Sequence, residues 1–419
     1  MLLFHSLINL VTFLSAAPSQ SSLLTGEQMN SFLKTNGEVT LLAGRPFYFS
    51  GVNVYRLFYT QASDLPFYFQ DFVDIKATMV RTWLFCDGKS CSDGSYVPYR
   101  FWFTEAENGQ VIFNDDPESG IGRFDRVIQA AKQYGVKLTV SLTNNWKDFG
   151  GIDWWVRKFS TNPSKFHSDF YWNEAVKAQF KRYVYHVLNR YNPLTGLKYK
   201  DDPTIAIIEL GNEFRCNGYP EPSDPGCNSQ MVTAWIKEMS AYIKSFDSNH
   251  LISIGDEGFF NDRGLSYGGA YSNVWDGSSG MDFYANALLP EIDILSFHAY
   301  FDQWNTPNDP QYIENTLKYI EDHHNVAKKV GKPLYAGEYA AGRPEMRNRN
   351  FPKIQKKIED LNLTGSLMWL WLSQNGTLPC VEIPDNVGLI YGVCKSNQEV
   401  QSIIINHGES MYKKFMGLK

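Results

Sequence analysis

The sequence predicts a single (β/α)8 barrel of the α/β class, and three observations carry that reading. Short apolar, β-branched runs alternate with longer segments of helical period along the 419 residues. The runs are apolar almost throughout rather than in alternation, as parallel strands buried on both faces are. Eight such units occur, which favours a closed barrel over an open doubly wound sheet.

The strand candidates are, in order, 45–55 (RPFYFSGVNVY), 79–85 (MVRTWLF), 137–145 (KLTVSLTNN), 205–213 (IAIIELGNE), 251–257 (LISIGDE), 292–300 (IDILSFHAY), 333–340 (PLYAGEYA) and 365–371 (GSLMWLW). Helical patterns lie between them at 124–135, 231–246 and 310–331. The first and third stop on Gly135 and Gly331, as helices commonly do. The stretch after residue 372 reads as a long final loop, with a closing helix near 396–417. No Pro-, Gly- or Ser-rich linker and no repeat divides the chain. One catalytic domain is therefore expected over 20–419, with no appended binding module.

Composition narrows the function. Apolar residues make up 43% and charged residues 20%, an ordinary globular balance. The net charge of −6 argues against nucleic acid, whose phosphates call for a basic surface. Aromatic residues reach 15%, many beside polar residues at strand ends. That placement suits sugars, whose C–H faces stack on flat rings while their hydroxyls seek polar partners. Residues 1–16, MLLFHSLINLVTFLSA, read as a secretory signal peptide cleaved around Ser15 to Ala17, although no Lys or Arg precedes the apolar run. Beyond it no stretch reaches the ~18 apolar residues of a membrane span. A secreted monomer with no membrane partner is expected. Six cysteines fall in three close pairs, Cys86/Cys91, Cys216/Cys227 and Cys380/Cys394, as disulfides in an exported chain would. No CxxC or HxxxH spacing suggests a metal, and no cofactor motif is present. Asn362 and Asn375 stand in glycosylation sequons.

In a barrel of this kind the site gathers at the C-terminal ends of the strands. Polar residues concentrate there: Arg81, Asn144-Asn145-Trp146, Asn212-Glu213, Asp256-Glu257, His298 and Tyr300, Glu338, and Trp369. Each cysteine pair also begins just after the second, fourth or eighth strand, where a disulfide would brace a loop. Glu213 and Glu338 each end an apolar strand, and a carboxylate so placed must be paired, protonated or functional. Three strands apart, they can converge across the barrel mouth. A separation of about 5 to 5.5 Å would support a retaining glycosidase, and roughly 6.5 to 9.5 Å an inverting one.

These residues together, with the strings RTWLF, LTNNW, ELGNEFRC, GDEGF, DILSFHAY and AGEYA, resemble glycoside hydrolase family 5 and, within it, the endo-β-1,4-mannanases. The resemblance runs from roughly residue 25 to 375 and implies a mannan-type polysaccharide substrate. It implies that Glu213 is the acid/base and Glu338 the nucleophile. Asn212 would bond the 2-hydroxyl of the sugar in the −1 subsite, and Arg81 and Tyr300 would hold Glu338. His298 would line the subsite and Trp369 would floor it. Arg215 would contact sugars on the leaving-group side, and Trp146 would be a platform for a more distant sugar. The mechanism then calls for a raised pKa at Glu213 and a charged Glu338.

Other readings stand beside these. Arg81 could be a structural counter-ion and His298 a core histidine. Asp256-Glu257 forms a rival carboxylate pair, read first as a loop anchor. Of the alternating Trp369 and Trp371, the second is expected to be packing. Trp154-Trp155 and the aromatic segment 166–175 read as packing more than as subsites. A β-1,4-glucanase or exo-β-glycosidase would use the same machinery, and a catalytically silent carbohydrate-binding barrel would keep only the cleft.

Overall fold

A computed structural model describes residues 22–86, 103–105, 111–218, 221–262, 274–304, 312–373 and 391–418. The barrel strands are β1 (Phe49–Asn53), β2 (Met79–Trp83), β3 (Lys137–Ser141), β4 (Ile205–Glu209), β5 (Leu251–Ser253), β6 (Leu295–Ala299), β7 (Leu334–Tyr339) and β8 (Gly365–Met368). Each falls inside its expected window. All pair in parallel in the order β5-β4-β3-β2-β1-β8-β7-β6. Between β5 and β6 the seam is closed by irregular bonds: Asp293 N–H to the Ile252 carbonyl at 2.9 Å and His298 N–H to the Glu257 carbonyl at 3.2 Å.

The expected helices form at Arg123–Tyr134, Ser229–Lys244, Tyr312–Val330 and Gln398–Met416. Gly135 ends the first of them at φ 71, a left-handed conformation that only glycine adopts without strain. Three helices join β3 to β4: Gly151–Phe159, Asp169–Trp172 and Glu174–Asn189. Trp155, Phe170, Phe180, Tyr183 and Trp235 bury their rings between these helices and the barrel, so that segment is packing, as expected.

The barrel interior is layered by the two-residue period of its strands. Phe49, Met79, Ile207, Leu251, Tyr335 and Leu367 form an apolar cluster near the strands' N-terminal ends. Leu24, Met29, Leu33, Leu42 and Phe415 close this cluster from below. The buried Lys137 ammonium ties that plug to the barrel through the carbonyls of Met29 (3.0 Å), Ser31 (2.9 Å) and Pro203 (2.7 Å). Two residues further along the same strands the interior turns polar. Arg81 follows Met79 inward and Glu209 follows Ile207, and the Arg81 Nε donates to both Glu209 oxygens at 3.0 and 2.8 Å. Tyr335 donates to Glu209 at 2.8 Å from the opposite wall, and Ser141 adds a further hydroxyl.

Cys216 and Cys227 form a disulfide, and Cys86 and Cys394 are each disulfide-bonded. Cys91, Cys380, Asn375, the final loop and the leader 1–16 lie outside the described residues.

Glu209 neutralises a guanidinium that has no access to water. Removing one partner of a buried ion pair strands the other, at about 3–5 kcal/mol. Glu209→Ala is therefore expected to lower the denaturant-derived unfolding free energy by that order. A loss under about 1 kcal/mol would mean that the remaining partners suffice to hold Arg81.

Candidate active site

Glu338 sits at the inward-facing end of β7, where its burial follows from the strand alone. Glu213 is placed differently. Beyond β4 the chain stays between the extensions of β3 and β5: the Asn212 N–H donates to the Thr143 carbonyl at 2.8 Å and the Glu213 N–H to the Gly255 carbonyl at 2.9 Å. Glu213 itself takes φ 58, a left-handed conformation that disfavours any side chain by roughly 1–2 kcal/mol. Such strain persists only where the surroundings over-determine it, and it clusters at functional sites. The result is convergence. One oxygen of Glu213, one oxygen of Glu338 and a ring nitrogen of His298 lie within 4.8 Å of one another.

Each carboxylate is held at both oxygens. Glu338 accepts from Arg81 Nη1 at 2.5 Å and from the Tyr300 hydroxyl. Glu213 accepts from Trp146 Nε1 at 2.6 Å and faces His298 Nδ1 at 2.9 Å. The same His298 nitrogen is 3.6 Å from Glu338. Arg81 also donates to the side-chain oxygens of Asn53 at 3.1 Å and Asn212 at 2.8 Å. Asn212 in turn donates to Asn144 at 3.0 Å. The sequence-derived set of Arg81, Asn212, Glu213, His298, Tyr300 and Glu338 thus forms one connected network.

Its charge distribution differs from the expectation. Burial raises Glu213, but the His298 hydrogen bond and charge, with Arg215 and the Trp146 N–H, draw it down to about 2. Burial lowers His298, and the carboxylates of Glu338 and Glu213 outweigh it, so the imidazole is raised. Glu338 is raised by burial and by the charge of Glu213. The surroundings thus favour a proton on His298 over one on Glu213. The cause is geometric: His298 is fully buried behind the two carboxylates and donates to Glu213, instead of standing in the subsite wall.

The cavity above encloses about 500 Å³. Asn212, Glu213, Tyr300 and Glu338 form its polar side, and Trp146 and Trp369 are aromatic walls. Trp369 stacks on Tyr55 with centroids 5.9 Å apart and planes 18° apart. Trp371 is fully buried and donates to Asp71 at 3.2 Å, so it is packing as expected. Trp146 lies closer to the chemistry than expected, bonded to Glu213 itself. Arg215 is turned aside: it binds Glu257 through Nε at 3.2 Å and through Nη2, and lies against the rings of Trp146 and Phe259. Glu257 is thereby a loop anchor, and the buried Asp256 accepts from the Gly258 N–H at 3.2 Å. Burial pushes these two carboxyls up, to about 8 and about 6. Sequence reasoning missed Tyr55, Trp83, Asp148, Phe149, Gln303 and Tyr391 in the cavity wall. Only Tyr55 and Trp83 had a signal, lying within strand candidates.

A carboxyl held below its unfolded value stabilises the fold above that value and loses the contribution as pH falls through its folded one. For Glu213 the window runs from its ordinary 4.5 down to about 2. In Glu213→Gln, acid-unfolding curves are expected to fall less steeply across that window, by up to about 1.4 kcal/mol per pH unit. Parallel curves for the two proteins would mean that Glu213 is not held ionised.

Residues 30–359 match the family model described as GH family 5 beta-mannosidase-like. The chain is 34% identical over 326 residues to a probable mannan endo-1,4-beta-mannosidase C of Aspergillus terreus, covering 75% of this chain and 74% of that one. It is also 34% identical over 338 residues to mannan endo-1,4-beta-mannosidase 7 of Arabidopsis thaliana, at 78% and 71% coverage. The fold superposes on the crystal structure of an endo-1,4-beta-mannanase from Rhizomucor miehei with a TM-score of 0.81 and 37% identity, over 91% of this chain and 100% of that one. With eight parallel strands, two convergent carboxylates and these relatives together, the chain belongs to glycoside hydrolase family 5, in its β-mannosidase-like group.

Proposed function

We propose that the chain is a secreted, retaining endo-β-1,4-mannanase, with Glu213 as acid/base and Glu338 as nucleophile. The observation that carries this reading is the approach of the two carboxylates to within 4.8 Å inside an aromatic-walled cavity. Oxygens that close suit a carboxyl pair at the about 5 to 5.5 Å of double displacement, which supports the retaining reading. The names of the relatives supply the linkage and the sugar: mannan, cut internally. Aromatic surfaces at Trp146 and at Tyr55 and Trp369 suit a polysaccharide threaded through the site.

Glu338, aimed by Arg81 and the Tyr300 hydroxyl, attacks the anomeric carbon. His298, 2.9 Å away, passes a proton to Glu213, which delivers it to the departing oxygen. Once Glu338 is esterified its charge is gone. Glu213, ionised again after giving up its proton, becomes the base that activates water. Asn212, oriented by Arg81, faces the cavity where it can bond the 2-hydroxyl as oxocarbenium character develops. No step calls for a cofactor. Residues 1–16 act as the export signal, and the disulfides fit an oxidising destination. The mature protein works as a monomer.

Glu213→Gln and Glu338→Gln are each expected to reduce turnover of mannan at least about 10³-fold while both still bind mannooligosaccharides. Near-normal activity in either would overturn the assignment. Product analysis on mannan and carboxymethyl cellulose separates the mannanase from a β-1,4-glucanase with the same machinery. Internal cleavage of mannan, with retention at the anomeric carbon by NMR, is the expected result.

A further inference from the structure

Behind the loop that carries Glu213 lies a second polar chain, with no exposed surface and no share in the cavity wall: Asp153, His167 and Asn145. Its proton positions follow from backbone polarity. The Asn145 oxygen accepts from the Arg215 backbone N–H at 2.9 Å, and its amide nitrogen donates to the Asn217 carbonyl at 3.2 Å. A backbone N–H only donates and a carbonyl only accepts, so this side-chain amide has one orientation. His167 Nε2 meets the same Asn145 oxygen at 3.0 Å and must therefore donate to it. On the other side of the ring, His167 Nδ1 is hydrogen-bonded to the Asp153 carboxyl group at 2.6 Å, so the imidazole is tied at both nitrogens.

Stability alone gives no reason for this arrangement, since a well-packed apolar replacement for a buried ion pair is often neutral or better. Its geometry gives one. The ring is a rigid two-ended link from the helix Gly151–Phe159 to the residues on either side of Glu213 in space. Asn145 precedes Trp146, which bonds Glu213, and its side chain holds residues 215 and 217. The Tyr171 hydroxyl secures the Arg215 carbonyl at 2.8 Å. The loop backbone presses on the ring so closely that a Cβ at Gly218 would come 1.8 Å from His167 Nδ1. Residues before Glu213 are bound by β3 and β5. Those after it are bound by this chain.

We propose that Asp153, His167 and Asn145 are positioning residues that hold the left-handed Glu213 and Trp146 in register for proton donation. The proposal rests on the reading of Glu213 as the acid. Asp153→Leu keeps roughly the size but offers no hydrogen-bonding group, so the tie between His167 Nδ1 and the helix is lost. Its kcat/KM for mannohexaose, where the leaving sugar needs a proton, is expected to fall on the order of 10- to 100-fold. For a 2,4-dinitrophenyl β-mannotrioside, whose leaving group needs none, kcat/KM should stay within about threefold. Asn145→Asp, which keeps both accepted bonds and loses the one to Asn217, gives the same comparison if Asp153→Leu does not fold. Glu213→Gln is the benchmark. If it shows no leaving-group dependence, the acid assignment falls. If it does, and the folded variants slow both substrates alike or neither, the positioning proposal alone falls.

Discussion

Everything at the barrel mouth depends on a single guanidinium removed from water. Arg81 has no exposed surface, and its donors reach β4 through Glu209, β7 through Glu338, β1 through Asn53 and the β4 extension through Asn212. The planar fork explains why this position is an arginine. It meets partners in several fixed directions at once, whereas an ammonium on a flexible stem would not fix them. A cation here without partners would be prohibitive, so the barrel supplies Glu209 one layer below the site, backed by Tyr335 and Ser141. The pair is as much a part of the fold as of the chemistry, because it fills the interior where the apolar lower layer ends.

The same pair explains the proton balance above it. Glu338 touches a guanidinium at 2.5 Å, yet its proton affinity is raised. Arg81 shares its charge with Glu209, which takes two of its contacts, and Glu338 itself is only 3% exposed. His298 is left to offset both catalytic-position carboxylates, and it stands nearer Glu213. Glu338 thus lies between Arg81 and His298, each of which also serves a second carboxylate, Glu209 or Glu213.

Much of this was legible in the sequence, and the rest was not for identifiable reasons. The eight strands announced themselves as apolar runs, and their polar ends named Arg81, Asn212, Glu213, His298, Tyr300 and Glu338. Glu209 looked like an interruption in IAIIELGN. Counting two from Ile207 would have put it in the barrel interior, on the same face as the Arg81 that follows Met79. The proton order could not be read, because it turns on which carboxylate His298 Nδ1 faces, and that depends on ring orientation. The partner of Arg215 was hidden for a similar reason: Glu257, from the neighbouring strand's extension, meets it only in the folded barrel. Tyr391 and Phe149 come from loops, and Gln303 from the four-residue helix Phe301–Trp304, segments whose course no periodicity dictates.

The two ends of the barrel carry opposite obligations. Below, apolar side chains and the Lys137 tie close the interior, and any residues of similar volume would serve. Above, each polar group is committed to a partner by distance and by direction, and Glu213 is held in a backbone conformation it would not choose. A strained carboxylate can serve as a proton donor only if both flanks of its loop are immobile, since relaxation of φ would swing the group away from Trp146 and His298. Bonds to Thr143 and Gly255 fix one flank and those to Asn145 and Tyr171 fix the other. The buried hydrogen bonds behind the cavity thus fix the orientation of Glu213 as directly as the residues that face the cavity.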